Sequence, residues 1–208
     1  NEDSITTSFD KETGVNTITI DTDFTKKSEY EEYRIDILYN DEIIETSNAT
    51  TDSSIEIQID SYYDNVVIRF TEIKGELDGT STEVEYTTPL LFNDLSKVIT
   101  YYKDGYILEL SANNELFDSN DTFNVQIIET YNDDTTNEAN TFEFSESITK
   151  EIMTSLDGTK LLSDIKSIEI IISLNDIVLD KYTYDTSEVE ATEALSYKST
   201  YIFNKDVI

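Results

Sequence analysis

A block of alternating apolar residues near the start of the chain returns 90 positions later, and this duplication limits the fold more than any other feature. Tyr33, Ile35 and Ile37 recur as Phe123, Val125 and Ile127, while Ile18 and Ile20 recur as Leu108 and Leu110. Once a two-residue insertion in the second copy is allowed for, Tyr39, Asn40 and Asp41 recur as Tyr131, Asn132 and Asp133. Coincidence is a poor account of three matching segments. Two similar modules therefore lie in tandem within 208 residues, and each can bury a modest core of its own.

The local pattern has a period of two. Ile18 and Ile20, then Tyr33, Ile35, Ile37 and Tyr39, then Ile55, Ile57 and Ile59 alternate with polar residues, as strands do when one face meets a core and the other meets water. Residues 65–72 read as a more deeply buried strand, and Val84 with Tyr86 closes the first module. Asn, Asp, Ser, Thr and Gly cluster between these runs, because they tolerate turn geometry or bond their own backbone, and Asn40 with Asp41 predicts a hairpin turn. Strands that recur this closely, without helices between them, predict an antiparallel sandwich and not a βαβ sheet.

The last third of the first module runs from Tyr63 through Val66, Ile68 and Phe70 to Gly79, Thr80 and Ser81, then to Val84, Tyr86, Thr87, Thr88 and Pro89. This segment resembles the closing strands of a fibronectin type III domain: an aromatic-led alternating strand, a Gly/Ser turn, and a final strand ending in Thr and Pro. The resemblance covers residues 5–89 and, more loosely, 97–186. It implies an all-β chain of two tandem antiparallel immunoglobulin-like or fibronectin type III-like β-sandwiches.

Pro89 is the one proline in the chain. It cannot donate to a ladder and fixes its own φ, so it marks the boundary between a first sandwich at 1–89 and a second at 97–208, with 90–96 as linker. Leu90, Leu91, Phe92 and Leu95 make that linker apolar and are the candidate interdomain contact. In the second module Ile148, Ile152, Met153 and Leu156 follow helical spacing, with Ser147 as N-cap and Asp157–Gly158 as stop, predicting a short inserted helix near 147–156. Past Tyr184 come Glu188, Glu190 and Glu193, then an alternation of Tyr197, Ser199, Tyr201 and Phe203 that predicts an extra strand. Such a strand completes its own sheet or adds to a neighbour's edge, and Tyr197, Tyr201 and Phe203 are the candidate partner-docking residues.

Reactive chemistry is hard to write with these residues. Histidine and cysteine are both absent, which removes Ser-His-Asp and Cys-His machinery, thiolate metal sites and disulfides. Five scattered glycines allow no phosphate-cradling loop. With 45 acidic residues, pairs such as Asp21 with Asp23 or Asp133 with Asp134 arise from abundance alone. Asp118, Asn120 and Asp121, and likewise Asn132, Asp133 and Asp134, are fragments of a calcium loop, lacking the Gly and terminal Glu of an EF-hand. The expectation is no cofactor, with calcium the one candidate and no ligand assigned. Tyr62 with Tyr63 and Tyr101 with Tyr102 raise sugar stacking, against ordinary strand packing.

The net charge of −31 disfavours phosphate backbones and anionic lipid, so neither nucleic acid nor membrane is an expected partner. The chain starts at Asn1 with no initiator Met or apolar leader, and the expectation is that a leader was removed or never existed. A duplicated all-β chain with no reactive constellation points to a noncatalytic structural or assembly protein, oligomeric within its assembly and acting through other protein subunits. Its modules look like those of tailed-bacteriophage particles, which implies a virion component such as a decoration, neck, adaptor or fibre part. A secreted prokaryotic surface protein (pilus subunit, S-layer piece or adhesin segment), extracellular or at the cell surface, is the alternative, and a carbohydrate-binding module is the third.

Overall fold

The computed structural model describes residues 5–21, 32–47, 54–74, 76–92, 100–102, 105–153 and 162–186. The chain divides into two compact units, Asn1–Leu90 and Leu91–Ile208.

The first unit holds seven strands among its described residues: β1 (Ile5–Asp10), β2 (Val15–Asp21), β3 (Glu32–Tyr39), β4 (Glu42–Thr46), β5 (Ser54–Asp60), β6 (Asn65–Lys74) and β7 (Leu77–Thr87). They form two sheets, one of order β1-β2-β5 and one of order β4-β3-β6-β7, with every pairing antiparallel. Alternation decides which residues meet. Ile18 and Ile20 of β2 and Ile55, Ile57 and Ile59 of β5 share one core with Ile35 and Ile37 of β3 and Val66, Ile68 and Phe70 of β6. Burying a side chain of this size contributes about 1.5–3 kcal/mol, so these rows dominate the stability of a unit with no covalent cross-link. β3 turns into β4 through Asn40 and Asp41 at φ 50° and 65°, a left-handed pair that matches strand twist and that Asn and Asp adopt more readily than other side chains.

The second unit repeats this plan. Among its described residues the strands are β8 (Thr100–Tyr102), β9 (Gly105–Ser111), β10 (Phe123–Tyr131), β11 (Thr136–Phe144), β12 (Ser147–Met153), β13 (Ile165–Leu174) and β14 (Ile177–Asp185), with a 3-10 turn at Leu162–Asp164. One sheet has the order β8-β9-β12 and the other β11-β10-β13-β14. Strand for strand this is the order of the first unit, and the registers agree: Ile37 faces Ile68 across β3 and β6, and Ile127 faces Ile170 across β10 and β13. The chain is thus all-β, built of two antiparallel three-on-four sandwiches of fibronectin-like order, as the duplication implied. Asn175 and Asp176, at φ 51° and 66°, repeat the Asn-Asp hairpin between β13 and β14.

One expectation is corrected. Residues 147–153 are not helical but form strand β12, paired with β9 from Ser147↔Ser111 to Met153↔Gly105. Ile148 and Ile152 are four apart, and four is a multiple of the strand period as well as about one helical turn, so the spacing could not separate the two. Across the pair they face Leu110 and Tyr106. Leu156 and the expected stop at Asp157 and Gly158 lie outside the described residues. The apolar stretch after Pro89 holds both buried and exposed positions. Leu91 and Phe92 are buried in the second unit, where Phe92 bridges to Ala112 and its ring lies 5.7, 5.2 and 6.2 Å from those of Phe117, Phe123 and Phe144. They are core residues of that unit because an aromatic cluster accepts them there. Leu90 is 54% exposed and Leu95 lies outside the described residues.

Candidate functional site

A sandwich of two sheets leaves two seams where the outer strands of one sheet approach those of the other. In the first unit the seam between β1 and β7 is bridged by a hydrogen bond between the Thr7 and Tyr86 hydroxyls. The seam between β4 and β5 instead holds a groove of about 290 Å³, lined by Val15, Ile44, Glu45, Gln58, Ile59, Asp60 and Tyr63. Its apolar part comes from Val15, Ile44, Ile59 and the Tyr63 ring, and its polar part from two carboxylates and an amide.

Aromatic packing fixes one wall. The Tyr63 ring lies 5.0 Å from that of Tyr39, edge to face, and 4.6 Å from that of Tyr62. Tyr62 donates its hydroxyl to Asp60 Oδ2 at 2.7 Å, and this bond, with some burial, raises the Tyr62 phenol above the usual tyrosine range. That bond holds Asp60 in the groove lining. Thr88, just beyond β7, donates its hydroxyl to the Tyr63 and Asp64 carbonyls at 3.1 and 3.0 Å, anchoring the turn that carries both tyrosines. Of the two pairs read as candidate stacking platforms, Tyr62 and Tyr63 thus pack with each other and with Tyr39, while Tyr101 and Tyr102 lie in β8.

Basic residues are engaged elsewhere. Arg34 grips Asp78 through both terminal nitrogens at 3.3 and 3.1 Å and reaches the buried Asp36 at 3.2 Å, bonds that raise its pKa further. Arg69 meets its cross-strand partner Glu83 at 2.7 Å. These are the two arginines of the chain, so both act within the four-stranded sheet of the first unit.

The equivalent core position differs between the units. Asn16 and Tyr106 are 90 apart, and each faces the same neighbour in its copy, Ile59 or Ile152. Tyr106 is buried and donates to Glu129 Oε1 at 3.0 Å, while Tyr131 and Asn137 donate to Oε2 at 2.8 and 3.1 Å. These donors account for a fully buried carboxylate. Asn16 is equally buried, yet its side-chain amide has no hydrogen-bond partner among the described residues.

The acidic fragments read as candidate calcium loops make turns. Asp133 accepts from the Thr135 hydroxyl at 2.6 Å, Asp134 adopts φ 60° and pairs with Lys166 at 2.9 Å, and Asp121 accepts from the Asp118 backbone at 2.8 Å. Among the described residues no group of three or more acidic side chains is placed to hold a metal. The candidate docking residues Tyr197, Tyr201 and Phe203 lie outside the described residues. Sequence reasoning missed the groove. Glu45, Gln58 and Asp60 sit at ordinary solvent-facing strand positions, and only the Tyr62–Tyr63 pair hinted at it.

No protein-family model and no curated protein matches the chain. Among solved structures it is similar to a two-domain fibronectin type III segment of chicken tenascin, with 10% identity, a TM-score of 0.30, and coverage of 86% of this chain and 95% of that one.

Proposed function

We propose that this chain is a noncatalytic assembly protein that works by offering its sheet edges to other protein subunits. The observation that carries the reading is β7. This eleven-residue strand has a neighbour on one side among the described residues, β6, and is exposed over most of its length, with Leu77 73% exposed at its start. Edge strands of that length are templates for strand addition, in which main-chain bonds supply affinity. β4 offers a second, shorter margin with Ile43 55% exposed. The missing histidine and cysteine support a role without chemistry.

Within this reading we place the protein in a bacteriophage particle, supported by the tandem sandwiches and the acidic, cysteine-free composition. Cross-linking mass spectrometry on the native complex tests both levels. Stoichiometric recovery in purified particles, with carboxylate cross-links from Glu83 and Glu85 of β7, is the expected result. Recovery in a cell-surface fraction removes the virion placement and keeps the assembly role. A chain found only as a solitary monomer removes both.

A further inference from the structure

We propose that the groove between β4 and β5 seats a lysine or arginine side chain presented by a partner protein, a reading that rests on the protein-contact role above. The lining has the right two halves. Val15, Ile44, Ile59 and the Tyr63 ring offer apolar surface to an aliphatic stem, and Glu45, Asp60 and the Gln58 amide offer acceptors to a cationic head. An aromatic face within about 6 Å also attracts a cation directly. A carboxylate can accept about four hydrogen bonds, so Asp60 can hold the Tyr62 hydroxyl and still receive a guanidinium or ammonium. At about 290 Å³ the groove suits one long side chain and falls at the small end for a drug-sized ligand.

Charge argues for an external source of the cation. β4 and β5 carry Glu42, Glu45, Glu56 and Asp60 and no lysine or arginine, and both arginines of the chain are engaged with Asp36, Asp78 and Glu83. The net charge of −31 favours approach of a basic partner and opposes a second copy of the same chain.

The second unit shows how such a seam accommodates a cation. There β12 and β11 correspond to β5 and β4, and Lys150 of β12 lies over the Phe142 ring of β11, its Nζ 5.5 Å from the centroid. By register Lys150 stands opposite Leu108, where Ile57 stands opposite Ile18 in the first unit. The first unit therefore has an isoleucine where its duplicate supplies a lysine, and beside it an acidic, tyrosine-walled groove.

The test uses the full chain and short extended peptides, acetyl-Thr-Val-Lys-Val-Thr-amide with its arginine and norleucine counterparts, followed by NMR titration. Saturable, salt-sensitive shifts at Ile44, Gln58, Ile59 and Tyr63 with the lysine and arginine peptides, and none with norleucine, are expected. E45Q and D60N should each weaken binding about fivefold, the upper range for an exposed ion pair. E109Q removes the same charge elsewhere and should leave binding within about twofold. Equal response to norleucine, equal loss in E109Q, no binding at all, or tighter binding of spermidine than of the lysine peptide would each overturn the proposal. Thermal melts of the variants check that they fold. A native complex that survives E45Q/D60N unchanged removes the groove while leaving the assembly role intact.

Discussion

Replacing Phe92 by alanine tests whether the stretch after Pro89 belongs to the second unit's core. The ring is wholly buried and packs within 5.2–6.2 Å of three phenylalanine rings. Truncating a buried phenylalanine removes its transfer energy and leaves a cavity, together about 3–5 kcal/mol. That is a large share of the roughly 5–15 kcal/mol that holds a domain of this kind together. With a urea slope of about 2 kcal/mol/M, the midpoint of the second unit should fall by roughly 2 M. Leu90, 54% exposed, is the control, and L90A should change stability by less than about 0.5 kcal/mol. Amide hydrogen exchange reads the units separately: protection in β10 and β13 should drop in F92A, and protection in β3 and β6 should persist. A loss below about 1 kcal/mol in F92A, or equal losses in F92A and L90A, would refute the core assignment.

Tyr106→Phe removes one of the donors to the buried Glu129 and should cost about 1.5–3 kcal/mol, measured by urea denaturation; no loss would mean the hydroxyl is not needed there. Asn16→Leu replaces a buried amide that has no partner among the described residues and should raise stability by about 1 kcal/mol in the same assay. At φ 65°, Asp41→Gly should be tolerated, while Asp41→Val should lose about 1–2 kcal/mol, seen as a lower melting temperature. The Tyr62 phenol is raised chiefly by its bond to Asp60, so the folded state keeps that proton longer than the unfolded chain does. Its stabilising contribution is complete below the ordinary tyrosine pKa of about 10 and is lost as pH rises through the folded value. Ultraviolet titration should show a late-ionising component that moves earlier in D60N, and an unmoved curve would count against this bond.

The strands were legible because one buried face enforces a period of two, and Ile18, Ile35, Ile57 and Ile68 each stand on such a row. The Asn40–Asp41 hairpin was legible because a left-handed pair restricts which residues can occupy it. Strand β12 was not, since Ile148 and Ile152 satisfy both periods and only the ladder with β9 decides between them. The burial of Phe92 was not legible, because an apolar residue three positions past a proline carries no mark of which core will take it. The groove was least visible of all. Its acids come from two different strands, and nothing in their local sequence distinguishes them from the many other acidic residues of the chain.

Strand β7 has a further consequence. Eleven residues at about 3.4 Å each make a margin roughly 35 Å long, along which about every second peptide group points outward. A binding partner would not need a folded surface shaped to this molecule. A tail of comparable length, otherwise without structure, would be enough, and its specificity would be written in the side chains it carries at alternate positions.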